Sequence, residues 1–328
     1  MLVITAIRRK VIPPPFATVV AIGISLAAAM DGSAQTPCST EALAVQVLGS
    51  GGPYAGDTRA STSYLVWRNG RSVVMVDAGG GSFIRFGEAR AKLRELSLLA
   101  VSHVHPDHVS DLPALLWLSE QGRQQPLKVA GPSGDGLFPS IDTFIKRLFD
   151  AGSGAFPALG GTLGQPGVGV RLEVVTIDAA AGIPVPVWSE DDLEVRAIGV
   201  PHGNTPSIAY RIRAGDRTIV FGSDQNGSDP RFIGFAAGAD VLVMHFALSQ
   251  FAQGPVTQLH ATPALVGQIA RDAKVRRLVL SHFITAPVLS STPEWFSLFD
   301  LDRAVTEVRK LYSGPIDTAV DLQCIPLR

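Results

Sequence analysis

Three of the chain's seven histidines fall within six positions, in "SHVHPDHVSDLPALLW" (residues 102–117), beside Asp107 and ahead of an apolar run. No other feature limits the fold as tightly. His103 and His105 are two apart at the end of "LSLLAVSH". An extended backbone turns side chains two apart to the same side, so both imidazoles can share one metal ion. Asp107 and His108 follow Pro106 and project from the turn toward a second position. The later candidates repeat the placement: His202 ends "LEVRAIGVPH", Asp224 ends "TIVFGSD" and His282 ends "RRLVLSH". The fold must deliver these strand ends to one rim of a sheet, where sites are commonly built. A single histidine at a strand end is ordinarily packed or solvent-facing; repeated at this many strand ends, it reads as metal binding. The donors are nitrogen and carboxylate oxygen without thiolate, which suits zinc, with manganese or iron as alternatives.

The start of the chain reads differently. "IRRK" (7–10) is basic, "FATVVAIGISLAAAM" (16–30) is apolar, and "DGSAQ" (31–35) offers a small-residue cleavage site after Ala34, so residues 1–34 are expected to be a signal peptide. The apolar run is short for a membrane span of about 20 residues. The expected mature protein, residues 35–328, is periplasmic or secreted, with no stable membrane insertion after cleavage. Its two cysteines, Cys38 and Cys324, sit near opposite ends, and an oxidising compartment permits a disulfide between them. The net charge is −1, and the leader carries Arg8, Arg9 and Lys10 against Asp31, or +2, which leaves −3 for the rest. The one short basic cluster, "KVRR" (274–277), reads as a solvated helix end. Polyanion-binding proteins show a basic surplus or patch, so nucleic acid is not expected as a partner.

Alternating apolar runs around Asn69-Gly70 predict a hairpin in "STSYLVWRNGRSVVMVDAGGG". Helical spacing is expected in "SFIRFGEARAKLREL", in "DLPALLWLSEQG" with Asp111 as N-cap, in "TPALVGQIARDA" and in "STPEWFSLFDLDRAVTEVRKLY". Strands are expected in "LAVQVLG", "LSLLAVSH", "LKVAGP", "VRLEVVTID", "LEVRAIGVPHG", "SIAYRIRAGDRTIVFGSD", "ADVLVMHFAL" and "RRLVLSHF". Residues 132–170, rich in glycine and proline around "SIDTFIKRLFDAG", read as a loop and helix insertion. No linker separates the halves, so residues 35–328 are expected to form one catalytic domain of paired sheets with outer helices.

The motif "SHVHPDH" resembles the His-x-His-x-Asp-His signature of the metallo-β-lactamase fold. The likeness extends over most of residues 46–285 through "LGSGGP", "SYLV", "VDAGGG", "VPHGNTPSIAYRI", "TIVFGSD", "LHATP" and "RLVLSHF". Their order and wording are similar to the ribonuclease Z-like branch, which includes phosphodiesterases and a group of arylsulfatases. The resemblance implies an α+β fold, a four-layer αβ/βα sandwich with two divalent metal ions along one edge. His103, His105 and His202 would hold one ion; Asp107, His108 and His282 the other; Asp224 would bridge them. His260 would act as proton donor or transition-state stabiliser, with a pKa suited to neutral pH, and Asp107 is expected to be catalytic as well as a ligand.

Two departures matter. The ribonuclease branch usually has a glutamate following a histidine in the segment that here reads "VLVMHFAL", thought to orient the catalytic histidine. This chain has Met244 and His245 there, so either His260 is held differently, or His245 shares the role, or His245 is a core residue. Transfer-RNA processing members also carry a long basic arm between the equivalents of His202 and Asp224; here that interval is 22 positions, filled by a hairpin around "RAGDR" (213–217). The expected activity is hydrolysis of a phosphodiester or aryl sulfate ester of a small-molecule substrate by a metal-bridging hydroxide. Alternatives are a lactone or β-lactam hydrolase and a non-catalytic metal-binding protein. Asp77 reads as a partner for a ligand, "GGG" (79–81) as a tight turn beneath the site, and Trp117, Phe149, Phe246 and Phe251 as core. No motif fixes the oligomeric state, and a homodimer stays open.

Overall fold

The computed structural model describes residues 37–54, 58–117, 123, 125–284 and 300–327. The leader and its cleavage site, residues 1–34, lie outside them, as does the first half of the expected C-terminal helix. No helix among the described residues is long and apolar enough to cross a membrane.

Period-two burial builds the first sheet. β1 (Leu43–Gly49) is buried on both faces. Leu43, Val45 and Val47 face one apolar cluster, while Ala44 and Leu48 face another. β2 (Ser63–Arg68) divides likewise, with Tyr64 and Val66 on one side and Leu65 and Trp67 on the other. Alternation with both faces apolar is what a sheet covered on both sides requires. β3 (Arg71–Val76) pairs with β2 across the expected hairpin, where Asn69 and Gly70 both take positive φ, 49° and 80°. Those are the angles of the tight turn that matches strand twist. β4 (Leu98–Ala100), β5 (Leu127–Pro132) and β6 (Leu172–Ile177) continue in parallel.

The second sheet contains β7 (Val185–Glu190), β8 (Leu193–His202), β9 (Thr205–Ala214), β10 (Arg217–Phe221), β11 (Val241–His245), β12 (Leu278–Ser281) and β13 (Ile316–Thr318), running in reverse order across the sheet. β14 (Cys324–Pro326) returns to the edge of the first sheet beside β1. One cluster of buried residues fills the space between the sheets, and the other lies between the first sheet and its helices. This is the expected αβ/βα sandwich. β7, β13 and β14 were not among the expected strands; all three lie at sheet edges, β13 and β14 have three residues each, and Pro186 interrupts the pattern of β7.

Other differences have local causes. The helix expected over residues 82–96 stops at Glu88 (α1, Ser82–Glu88), because Arg90 adopts φ 56° and a left-handed residue cannot continue a helix. Two short helices follow β4: α2 (Pro106–Val109) and α3 (Leu112–Trp117). Asp111 does not cap α3 with its side chain; its Oδ2 accepts from the Phe83 amide at 2.9 Å. Phe149 and Phe246 are core as expected, whereas Trp117 and Phe251 are exposed. The segment 132–170 links neighbouring parallel strands β5 and β6. It carries α4 (Ile141–Phe149), capped by Ser140 and seated through Ile141, Ile145 and Phe149 on the outer face of the first sheet. The remaining helices, α5 (Arg231–Ala236), α6 (Pro263–Asp272) and α7 (Leu301–Arg309), contribute Phe232, Ile269 and Val308 to the cluster that also fills the space between the sheets.

Cys38 and Cys324 form the expected disulfide, closing a separation of 286 residues. It ties the entry of β1 to β14. Chain-entropy reasoning gives about 5–6 kcal/mol for so long a loop, and disulfides typically contribute about 2–4 kcal/mol. The double replacement Cys38→Ser, Cys324→Ser is expected to lower the midpoint of urea unfolding accordingly; an unchanged midpoint would show that the bond constrains nothing the fold does not already hold.

Candidate metal centre

β8, β10, β11 and β12 share one direction, so their carboxyl ends open onto one edge. His202 closes β8, Asp224 lies three residues past β10, His245 closes β11, and His282 follows β12 directly. From the first sheet, the chain leaving β4 brings His103 and His105, and α2 brings Asp107 and His108. All seven expected ligands converge. Tyr210 on β9 donates to the Val101 carbonyl at 2.8 Å, and the Ile208 amide to that of Ser102 at 3.0 Å. These bonds pin the histidine loop of one sheet to the other.

Two groups of donor atoms result: His103, His105, His202 and Asp224; and His108, Asp224, His245 and His282. Asp224 belongs to both. Its Oδ2 lies 3.7, 3.6 and 3.5 Å from Nε2 of His103, His108 and His202, and its Oδ1 lies 3.3 Å from Nε2 of His282. Asp107 Oδ2 completes the second group at 3.2 Å from His282 Nε2 and 3.5 Å from His108 Nε2. Two ligands about 2.0–2.2 Å from a tetrahedral ion stand roughly 3.3–3.6 Å apart, so this spacing fits. His245 was the donor that sequence reasoning left out. It had the same signal as the others, an apolar strand ending in histidine.

Outer partners orient the rings. His108 Nδ1 meets Asp77 Oδ2 at 2.8 Å, and His202 Nδ1 donates to the Leu259 carbonyl at 2.7 Å. His108 Nε2 and His202 Nε2 are then buried without hydrogen-bond partners. A buried nitrogen without a partner is costly, and a cation relieves that cost; ligand histidines characteristically donate their other N–H in this way. Asp77 also accepts from the Ser102 amide at 2.7 Å and the Ser102 hydroxyl at 2.8 Å, the supporting role its sequence position suggested. The glycine turn runs beneath. A Cβ on Gly79 would stand 2.1 Å from the Asp107 carbonyl oxygen, so the loop can close only over glycine. The residues therefore fit two divalent ions.

The charges of the site compete. Burial disfavours a charge on His108, but Asp107, Asp77 and Asp224 outweigh it and hold its pKa well above the ordinary value. Burial likewise opposes charge on His282, yet Asp224 and Asp107 raise it. Asp224 resists ionisation by burial, and His282, His260 and His108 nonetheless hold it well below the carboxylate range. Metal must displace the protons these imidazoles retain. Binding is therefore expected to release protons at neutral pH and to weaken as pH falls, about tenfold per pH unit for each proton displaced. Calorimetry in buffers of different ionisation enthalpy would reveal this; heats independent of buffer would refute it.

His260 stands between the 3-10 turn Gly254–Gln258 and α6, on the wall of a pocket of about 290 Å³ over the donors. Its Nδ1 has no hydrogen-bond partner and lies 3.8 Å from Asp224 Oδ1. The orienting glutamate has no counterpart: Phe246 follows His245, is fully buried and meets the Phe283 ring edge-on at 6.5 Å. Burial lowers the His260 pKa to about 3 against the opposing pull of Asp224, which corrects the expectation of a pKa suited to neutral pH. Pro53, Leu248, Val256, Leu259 and Ile284 supply the apolar wall, and no lysine or arginine lines the pocket among the described residues. Residues 55–57 and 285–299, next to this wall in sequence, contain neither residue. From the 132–170 segment, Phe138 sets its ring edge against His105 at 5.5 Å.

A sandwich of this kind, with buried imidazoles gathered on one edge, defines a metallo-β-lactamase-fold hydrolase, and comparison with known proteins agrees. The chain belongs to the beta-lactamase superfamily, whose domain matches residues 72–283. A Mycobacterium bovis (strain BCG / Pasteur 1173P2) protein named Ribonuclease Z is 28% identical over 293 residues, covering 85% of this chain and 96% of the relative. The fold is shared with the metallo-beta-lactamase fold protein YhfI from Bacillus subtilis (TM-score 0.64, 20% identity, 87% of this chain and 98% of that one). It is shared also with the short form of human tRNase Z (TM-score 0.64, 18% identity, 87% and 99%).

Proposed function

We propose that the protein is a binuclear metal-dependent hydrolase that cleaves a phosphodiester in a small substrate, with an aryl sulfate ester as the second candidate. The observation that carries the reading is Asp224, shared by two donor groups beneath a small pocket. His103, His105 and His202 would hold one ion, Asp107, His108 and His282 the other, with Asp224 common to both and zinc the best match to the donor set. When bound, the ions supply an activated water and neutralise charge on the ester. His260, uncharged at neutral pH, offers an N–H from the pocket wall and so serves better as a hydrogen-bond donor to developing charge than as a ready acid. The apolar wall accommodates the leaving group and keeps bulk water from it.

RNA is the competing substrate, because relatives named Ribonuclease Z cover most of the chain. Against it stand the absence of pocket cations among the described residues and the short hairpin of β9 and β10 between His202 and Asp224. A chain that grips phosphates along a strand needs lysine and arginine beside its site. The Cys38–Cys324 bond supports an exported protein, since such bonds persist in oxidising compartments.

The test is hydrolysis of bis(p-nitrophenyl) phosphate, p-nitrophenyl sulfate and a 3′-extended transfer RNA by zinc- or manganese-loaded protein, with His202→Ala as control. Turnover of the diester lost in the control supports the reading. Cleavage of RNA alone overturns the small-substrate assignment, and sulfate turnover alone selects the second candidate. Silence on all three moves the assignment to lactones, β-lactams or metal binding without catalysis.

A further inference from the structure

His245 closes β11 with its ring buried between the two sheets. Its Nδ1 lies 2.5 Å from Asp224 Oδ1, and its Nε2 lies 3.3 Å from the hydroxyl of Tyr64, which comes from β2 of the opposite sheet. The ring stacks on His282 at 4.6 Å with 17° between planes. An uncharged imidazole has one N–H, and the nitrogen facing a carboxylate must carry it. Nε2 is then the acceptor, and the tyrosine O–H is free to donate to it. Protons run in one sense only: Tyr64 to His245, His245 to Asp224. Two ligands of one ion would stand roughly 3.3 Å apart; at 2.5 Å the two atoms are in hydrogen-bond contact, an N–H facing a carboxylate oxygen.

We propose that His245 is a positioning residue for the shared carboxylate. It holds Oδ1 of Asp224 through its Nδ1–H, so that Oδ2 turns into the space among His103, His108 and His202, and Tyr64 fixes the tautomer from the other sheet. The inference rests on the reading of these clusters as a metal centre. It assigns a function to the histidine beside Phe246, the position where the sequence departs from its resemblance. It also couples the two sheets: a hydroxyl in the first determines how a carboxylate in the second is presented.

The test compares wild type with Tyr64→Phe, His245→Asn and His245→Leu, using zinc and cobalt as probes. Bound metal is counted at saturation, affinity is read by chelator competition, and the visible spectrum of the cobalt form reports coordination. Asparagine places an amide N–H near the position of Nδ1; leucine fills the space without a donor. Outer partners of metal ligands are worth about 10–100-fold in affinity. Expected are two ions at saturation in every variant, affinity lowered by about 10–100-fold in His245→Leu, substantial recovery in His245→Asn, and a smaller loss in Tyr64→Phe. Loss of one ion in both His245 variants, with a changed cobalt spectrum, would make His245 a ligand and overturn the proposal. Wild-type affinity in Tyr64→Phe and His245→Leu would reduce the ring to packing and overturn it too. If wild type itself binds neither metal, the metal-centre reading fails and this proposal with it. Should His245→Leu not fold, the other two variants decide.

Discussion

Replacing Asp224 by asparagine is expected to lower ester hydrolysis by about a thousandfold or more and to leave fewer than two ions bound at saturation. The carboxylate is the one group common to both donor sets: Oδ2 faces His103, His108 and His202 at 3.5–3.7 Å, and Oδ1 faces His282 at 3.3 Å. Asparagine keeps the volume but loses the charge and one of the two acceptor oxygens. Metal ions stabilise the transition state of ester hydrolysis by several kcal/mol, and about 1.4 kcal/mol is tenfold in rate, so weakening both ions together reaches three orders of magnitude. Removing a single terminal ligand such as His105 should cost less, because it belongs to one group only and is partly exposed. The measurement is kcat beside elemental analysis of the same samples. Two ions and wild-type turnover in Asp224→Asn would show that the clusters do not share this carboxylate in the working enzyme.

The second large effect separates catalysis from metal binding. His260→Ala should reduce kcat by about 10²–10³ while metal content stays as in wild type, because His260 lies at the pocket wall and belongs to neither donor group. Burial lowers its pKa to about 3, so the ring is uncharged throughout the neutral range. The pH–rate profiles of wild type and His260→Ala should therefore keep the same shape above about pH 5, displaced vertically. A wild-type limb near pH 6–7 that vanishes in the variant would show that His260 titrates there and delivers a proton as an acid. Loss of metal in His260→Ala would instead make it a ligand.

Much of the site was legible because its signal is local. A donor at the carboxyl end of an apolar strand is visible in a window of about ten residues, and His103, His105, His202, Asp224 and His282 converge as that rule requires, with Asp107 and His108 brought to them on α2. The Asn69-Gly70 hairpin, the supporting role of Asp77 and the disulfide were legible for similar reasons: turn chemistry, position beside the motif, and there being only two cysteines. His245 obeyed the same strand-end rule and was weighed instead against an absent glutamate. The expected helix beyond Glu88 was not legible as broken, because the left-handed turn at Arg90 leaves no mark in apolar spacing. Nor were the edge strands β7, β13 and β14: Pro186 interrupts β7, and the other two have three residues each.

The sequence by itself determined which residues could bear the chemistry and which faces of each strand are apolar, since both follow from residue type and a period of two. Only the tertiary structure decided which side chains meet. Tyr64 and His245 are 181 positions apart, as His282 and Asp107 are 175, and their contact depends on the register and stacking of two sheets. The uncharged state of His260 is a tertiary outcome as well, because a pKa is set by the burial and charges around a ring, and no neighbour in sequence supplies them.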